Sequence, residues 1–299
     1  MENIELNENT MVNQKLLMGS IDKILIKRSI AKRVSDVQVL KGPVGIITGA
    51  QWDKVTGKLT IAKADIEAET RKIRTEFTIE ALQDLQGIYK ESFYDLLAHY
   101  LVDEMAYQID SDFLTMVKDR AETKDTLVFT EAEHAKWLSS VAQSISVAIN
   151  KGLADLPISD NRSPMGWAVV SSNVASILGG TLNDTNAIDN LDDDAPSYLG
   201  KIGGVDYYID YTHANDGLDS VVFGIKGNGF SKGSTIFSPY TKTWIDTVSS
   251  DTGEPIFFLM DRTAMSINPL DTKMYNGGVG VSGFLAKFNV DLSDLQVFN

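Results

Sequence analysis

The chain has 299 residues, 43% of them apolar and 23% charged, which is ordinary globular usage with enough apolar mass for a core in one large domain or two modest ones. It has no cysteine, only three histidines and a net charge of −14. These counts exclude disulfides, thiolate nucleophiles and cysteine-based metal sites, and the acidic balance argues against a global nucleic-acid binder.

The opening MENIELNENT is acidic and polar, unlike a secretion signal. No apolar run approaches the ~20 residues needed to span a bilayer. The sequence therefore reads as a soluble, cytosol-made protein from which no N-terminal propeptide has been removed. Residues 1 to about 45 show no long-helix signal. Ser20–Ile30 has the spacing of a short amphipathic helix, with Ile21, Ile24, Leu25 and Ile26 on or near one face. Val37–Ile47 reads as extended, punctuated by Gly42-Pro43 and Gly45. Between Asn9 and Lys58 the basic residues include Lys27, Arg28, Lys32, Arg33 and Lys58, against only Asp22, Asp36 and Asp53. A basic segment joined to an acidic remainder is expected to dock on the acidic body of a neighbouring copy.

Residues 48–78 read as a hairpin-like excursion. Trp52 precedes a turn at Thr56-Gly57, and the alternating strand Lys58–Lys63 follows. Ala64–Thr78, with Arg71, Lys72 and Arg74, is polar on both sides and ill-suited to be a lone sheet edge, so a partner is implied. Thr78 is placed to cap a short helix ending near Leu85, with Ile79, Leu82 and Leu85 as its apolar side and Gly87 as its break. A long helix follows over residues 91–120. Phe93, Leu97, Leu101, Met105, Ile109, Phe113 and Val117 recur every four residues, and Leu96, Tyr100 and Met116 widen the stripe. At ~1.5 Å per residue this is a rod of ~45 Å. The next helix starts at a capping box, Thr130 with Glu133, and carries Ala135, Leu138, Val141, Ala142 and Ile145 on its face. Beyond Pro157 the pattern turns mixed. Strands are expected at Trp167–Val170, Val205–Tyr211, Val221–Ile225, Ile256–Met260 and Thr263–Ile267, with a final pair near 278–290, and a short helix at Asn173–Leu178 ending on Gly179-Gly180.

No catalytic constellation rises above background. His99, His134 and His213 are far apart, and none has a second histidine four residues on. The acidic run Asp189–Asp194 lacks the spacing of a calcium loop. Gly227-Asn228-Gly229-Phe230-Ser231-Lys232-Gly233 has one residue too many for a dinucleotide fingerprint and leads into Pro239 rather than a helix, so it reads as a flexible loop. Tyr207, Tyr208, Tyr211 and Trp244 are the side chains that a sugar-binding site would use; such residues on strands more often sit in a core or interface. The chain is read as a non-enzyme with no catalytic, cofactor or metal residues.

Five ordered blocks carry a resemblance. They are Thr75–Leu85 leading into the long helix with Val102-Asp103-Glu104-Met105 and Gln108-Ile109-Asp110, Trp167–Val174, Gly203–Asp210, Phe237-Ser238-Pro239-Tyr240, and Met265-Ser266-Ile267-Asn268-Pro269. Together they resemble the major capsid protein family of T-even-type tailed phages over roughly Ala64–Leu270. The resemblance implies an α+β tailed-phage capsid fold. Its parts would be an N-terminal arm (1–48), an extended loop (49–78), a peripheral domain (79–157 and 255–299) with its spine helix at 91–120, and an axial domain (158–254). It implies a structural protein that self-assembles into hexamers and pentamers of an icosahedral head around double-stranded DNA. Lys27, Arg28, Lys32, Arg33, Trp52, Lys58, Lys63, Arg71, Lys72 and Arg74 are the expected inter-subunit contacts. The implied partners are further copies, portal, scaffold, and decoration or vertex proteins, with only weak contact to packaged DNA, no cofactor and no membrane. The implied location is the virion, assembled in the host cytoplasm. The alternatives are the related pentameric vertex protein or, in a different class, a soluble carbohydrate-active or carbohydrate-binding protein. The chain is too short for both the cleaved N-terminal segment and the inserted domain of the family's large member.

Overall fold

The computed structural model describes residues 21–53, 58–88, 93–128, 138–156, 165–181, 197–212, 219–227, 233–248, 252–271 and 282–291. The core is arranged around a single long helix. Helix α4 (Phe93–Arg120) buries Leu97, Leu101, Met105, Ile109, Phe113 and Val117, the expected four-residue series. The stripe widens on the opposite side from the one expected. Ala98, Val102, Ala106 and Leu114 are buried beside it, while Tyr100 is 66% exposed and Met116 only half-buried. The series 98, 102, 106, 110, 114 places Asp110 on the same buried face.

Residues 21–28 form α1 and Ile30–Val34 form α2. Ile21, Leu25, Ile30, Ala31 and Val34 join the spine's own cluster. From residue 21 the arm therefore packs on its own chain, where the sequence reading had assigned its order to a neighbour. Ile26 faces outward, off the expected apolar face. After α2 the chain forms strand β1 (Asp36–Val37), and then β2 (Val44–Asp53) pairs with β3 (Lys58–Glu67). The hairpin begins inside the stretch assigned to the arm. It returns through β4 (Glu69–Glu76) to α3 (Ile79–Ile88). Thr78 Oγ1 accepts from Ala81 N at 3.2 Å, as its capping position implies. The helix runs through Gly87, where a side chain would meet open space, so glycine lowers helix propensity there without forcing a break. Ile79 is exposed, not part of an apolar side.

Two further sheets complete the fold. The six-stranded sheet has the order β5 (Ala121–Val128), β12 (Ser282–Asp291), β9 (Asp219–Lys226), β6 (Met165–Val170), β8 (Val205–Ile209), β7 (Tyr198–Ile202). It is covered on both faces, which explains the unbroken apolar run of β6. Trp167 and Val169 face the spine cluster; Ala168 and Val170 face α5 (Leu138–Ala154) and α6 (Ser172–Thr181). Helix α6 starts before Asn173 and passes through both glycines, so Asn173 lies inside it. The Thr130 capping box and Asp189–Asp194 fall outside the described residues, as do residues 278–281 of the expected final pair, of which 282–290 form the single strand β12.

The four-stranded sheet has the order β1, β10 (Thr235–Val248), β11 (Pro255–Ile267), β4. Here the sequence reading is corrected most. No strand was expected over 235–248, yet Pro239 lies within β10 where the register shifts between Pro239 and Thr241. Proline lacks an N–H and is tolerated in a strand at such a bulge. Likewise, the expected strands at 256–260 and 263–267 are one strand, continuous through Asp261 and Arg262. Sheet membership also crosses the expected domain boundary at 254/255. Strand β10 pairs with β11, and β12 lies between β5 and β9.

Phe113 is fully buried with its ring centre 6.4 Å from that of Trp167, joining spine to sheet. Phe113→Ala is expected to cost about 3–5 kcal/mol, seen as a lower urea midpoint in chemical denaturation.

Candidate assembly surfaces and the anchoring of the arm

Helix α2 has too few residues to hold itself, so its first-turn amides need outside acceptors. Asp110 supplies them from the spine. Its Oδ1 accepts from Ser29 Oγ at 2.8 Å and Ala31 N at 2.9 Å; its Oδ2 accepts from Ile30 N at 2.8 Å and Tyr211 Oη at 2.6 Å. Ser29 Oγ in turn accepts from Lys32 N. A carboxylate matches these four donors because it accepts at both oxygens and donates nothing. Burial pushes the Asp110 carboxyl above its ordinary value, and the hydrogen bonds from Tyr211, Ala31, Ile30 and Ser29 offset part of that rise.

A second anchor lies where the arm meets the four-stranded sheet. Lys32 is buried with Nζ 5.3 Å from the centre of the Phe237 ring. Asp22 pairs with Lys242, whose Nζ lies 4.0 Å from Asp261. Both Asp261 oxygens are buried without a hydrogen-bond donor in good geometry among the described residues, and burial pushes this carboxyl up. Burial, then the neighbouring Lys242 charge, lowers Lys32 to about 7.

Arg71 joins three elements. Its Nε and Nη2 donate to Asp112 Oδ2 on the spine at 2.9 and 2.6 Å, and its Nη1 donates to Thr263 Oγ1 on β11 at 2.9 Å. Near the far end of the spine, Lys118 Nζ donates to Asp210 Oδ2 at 2.6 Å. Burial opposes ionisation of Asp210, but the Lys118 and Thr212 hydrogen bonds outweigh it and hold the carboxyl below its ordinary value.

These contacts separate the ten residues expected at subunit contacts. Lys32 and Arg71 are buried within their own chain, Arg28 pairs with Asp103, and Arg33 lies 5.8 Å over the Tyr198 ring. Lys27 is half-buried. The complementarity between basic arm and acidic body is thus met within one chain for these members of the set. Lys58, Lys63, Lys72 and Arg74 are exposed. Trp52 pairs through its backbone with Leu59.

The hairpin carries the open surface. By its register, Val44, Ile46, Thr48 and Ala50 share a face with Leu59, Ile61, Lys63, Asp65 and Glu67. Val44, Ile46, Leu59 and Ile61 are exposed on it. The opposite face packs at its base, with Ile47 buried and a side chain at Gly49 placed 2.8 Å from Leu270 Cγ.

Sequence reasoning missed Asp110, Tyr211, Asp36 and Asp261. Only Asp110 left a signal, as the one acid in an otherwise apolar four-residue series. Asp36 Oδ2 accepts from Gly233 N at 2.7 Å, and a side chain at Gly227 would lie 2.3 Å from it, so the glycine-rich segment is cinched at its base by the arm. The tyrosines and tryptophan considered for a sugar site do not converge. Tyr207 and Tyr208 enter clusters on opposite faces of the sheet, Tyr211 is bound to Asp110, and Trp244 packs on Phe257. The carbohydrate reading loses its residues to the core. No group of three metal-type side chains occurs among the described residues, and no helix there is long and apolar enough to cross a membrane.

Comparison with known proteins decides the family. The profile of Major capsid protein Gp23 matches residues 48–290. The chain belongs to the Gp23 major capsid protein family. A curated relative, the major capsid protein of Vibrio phage KVP40, is 22% identical over 259 residues, 76% of this chain and 49% of that protein. The chain thus spans about half the length of the curated relative it matches. The capsid of Ralstonia phage GP4 superposes with a TM-score of 0.55 at 10% identity, over 88% of this chain and 91% of that one. A virus-like particle from Pyrococcus furiosus gives 0.55 at 7% identity, over 92% and 98%. At such identities these structures show the fold, which is that of tailed-phage capsid proteins, as the family resemblance implied.

Asp110→Ala is expected to cost about 2–4 kcal/mol by leaving buried donors without an acceptor, measured by urea denaturation, with Asp110→Asn losing less. For Lys32, a folded value near 7 against an unfolded one near 10.5 means that the native state holds fewer protons between them. Stability then rises with pH across that window, by up to about 1.4 kcal/mol per unit. Comparing wild type with Lys32→Met at pH 7 and pH 9 is expected to show a wild-type gain of about 2 kcal/mol that the variant lacks.

Proposed function

We propose that this chain is a structural shell subunit whose copies form the hexamers and pentamers of an icosahedral phage head enclosing double-stranded DNA. The observation that carries this reading is the open apolar hairpin face in a member of a capsid family. Val44, Ile46, Leu59 and Ile61 remain exposed on a two-stranded excursion that has little reason to persist alone. Laid on a neighbouring copy, that face is buried, and the charged residues on its β3 side, Lys63, Asp65 and Glu67, meet the neighbour at the rim. Capsid proteins of this family are structural, and in this reading the chain is a building unit and not an enzyme.

In this reading the arm extends to the start of β2, and the hairpin with β4 forms the extended loop. The spine with the four-stranded sheet forms the peripheral unit. The six-stranded sheet with α5 and α6 forms the axial unit. Portal, scaffold, and decoration or vertex proteins are its partners in the virion, and assembly takes place in the host cytoplasm. A net charge of −14 fits a container wall that holds packaged DNA only by weak, non-specific contact.

The test is the assembly state of the purified chain. Rings or megadalton shells in size-exclusion chromatography and negative-stain microscopy are expected; a compact monomer at all concentrations overturns the reading. Ile46→Glu combined with Ile61→Glu is expected to leave the circular dichroism spectrum unchanged and to raise the concentration needed for assembly at least tenfold.

A further inference from the structure

Side chains alternate between the two faces of a strand. On β11, Phe257 and Leu259 enter the spine cluster, so Phe258, Met260 and Arg262 point to the opposite, outer face of the four-stranded sheet. At one end of that face Leu40, Ile66 and Ala68 pack over Ala264. From Arg262 toward Pro255 the cover ends. Phe258 and Met260 are half-buried, and Ile245, which lies opposite Phe258 on β10, is 44% exposed. None of these three belongs to a core cluster. They form an apolar strip across the middle of the sheet, where a covering element would normally lie.

The charges around the strip are mostly of one sign. Lys72 lies opposite Met260 and Arg74 opposite Phe258. Arg262 follows Met260 on the same face. Among the outward positions of β4, β10 and β11 the one acid is Glu76, and it is paired with Arg74. Lys72 and Arg262 have no ion-pair partner among the described residues. The Arg262 guanidinium lies 5.2 Å over the Tyr240 ring, and its Nε is buried without an acceptor. In a chain with 41 acidic and 27 basic residues, two neighbouring cations left unpaired are an exception.

Unpaired cations beside an open apolar strip fit a ligand that brings carboxylates and apolar groups together. Outward positions on a strand recur every ~7 Å, and an extended segment laid on the face has the same spacing. An acidic residue two positions from an apolar one would set its carboxylate against Arg262 or Lys72 and its apolar neighbour against Met260, Phe258 and Ile245. The guanidinium fork suits the carboxylate because it can donate two parallel hydrogen bonds.

We propose that this open half-face docks a partner protein through an extended segment in which acidic and apolar residues alternate. Charge complementarity selects that occupant, since the face is basic on an acidic chain. Nucleic acid fits less well. Phosphates leave the apolar strip without a partner, and a long polyanion is repelled by the rest of a chain of charge −14, whereas a short acidic segment meets this face alone. The inference goes beyond the shell reading, because a single subunit presents the whole face.

The test measures binding to the full chain by fluorescence anisotropy. The probe is a short fluorescein-labelled peptide with glutamate and leucine at alternate positions. Saturable binding is expected, weakened at least tenfold when the glutamates are replaced by glutamine and, separately, when the leucines are replaced by serine. On the protein, Lys72→Glu combined with Ile245→Ser is expected to weaken binding at least tenfold, and Arg262→Gln to do the same. Lys72 and Ile245 are exposed, so the double variant is expected to keep the wild-type circular dichroism spectrum and a melting temperature within a few degrees, which separates lost docking from lost folding. No binding, binding that the control peptides or the variants leave unchanged, or an oligothymidylate bound as tightly and lost in the same variants overturns the proposal. So does loss of assembly in Lys72→Glu, which gives the face to contacts between copies. A wild type that binds the peptide but stays monomeric sinks the shell reading and supports this one; a wild type that assembles but ignores the peptide does the reverse.

Discussion

Helix α2 has a fixed place because one buried carboxylate on the spine accepts from four donors. Asp110 sits where the helix stripe calls for an apolar residue, and alone it would be costly to bury. The first-turn amides of α2, the Ser29 hydroxyl and the Tyr211 hydroxyl remove that cost by converging on its two oxygens. Each party needs the others. The five-residue α2 cannot satisfy its own amides, and the carboxylate has no other source of donors described. Tyr211 follows β8, so the same carboxylate ties the arm, the spine and the six-stranded sheet together.

The remaining polar contacts work from this arrangement outward. With α2 held on the spine, Asp36 reaches the base of the 227–233 loop and β1 lies along β10. Arg71 then fastens β4 to the spine through Asp112 and to β11 through Thr263. The outcome is a body in which arm, spine and four-stranded sheet are tied by polar contacts, with the β2–β3 hairpin joined to it at its base. Its basic arm residues are largely engaged inside the chain, and among the described residues Val44, Ile46, Leu59 and Ile61 leave an exposed apolar group on the hairpin. That distribution suits a building unit, since apolar strand residues are left open while the arm's charges hold the subunit itself together.

Local pattern and long-range pairing were unequally legible in the sequence. The four-residue series from Leu97 to Val117 was plain because helix periodicity is set by residues within one element. The apolar run of β6 and the Thr78 cap were legible for the same reason. Gly87 and Gly179-Gly180 were misread as stops, because glycine lowers helix propensity by only about 1 kcal/mol and does not forbid the helical conformation. Strand β10 was missed because its Pro239 is tolerated in a strand only at a bulge, and a bulge is defined by the partner strand. Strand β5, AETKDTLV, was missed because its charged pattern is that of a loop until β12 pairs with it.

Composition, helix period and ordered signature blocks determined by themselves that this is an α+β protein with a spine helix, no cysteine chemistry and a likeness to phage capsid proteins. Tertiary structure alone decided where the arm's charges go. The sequence shows basic residues near the N-terminus and acidic ones later, and a neighbouring copy or the same chain would satisfy them equally well on that information. Only folding brings Arg28 to Asp103, Asp22 to Lys242 and Ser29 to Asp110, pairs up to 220 residues apart. Such pairs depend on the path of the whole chain, which no local spacing encodes.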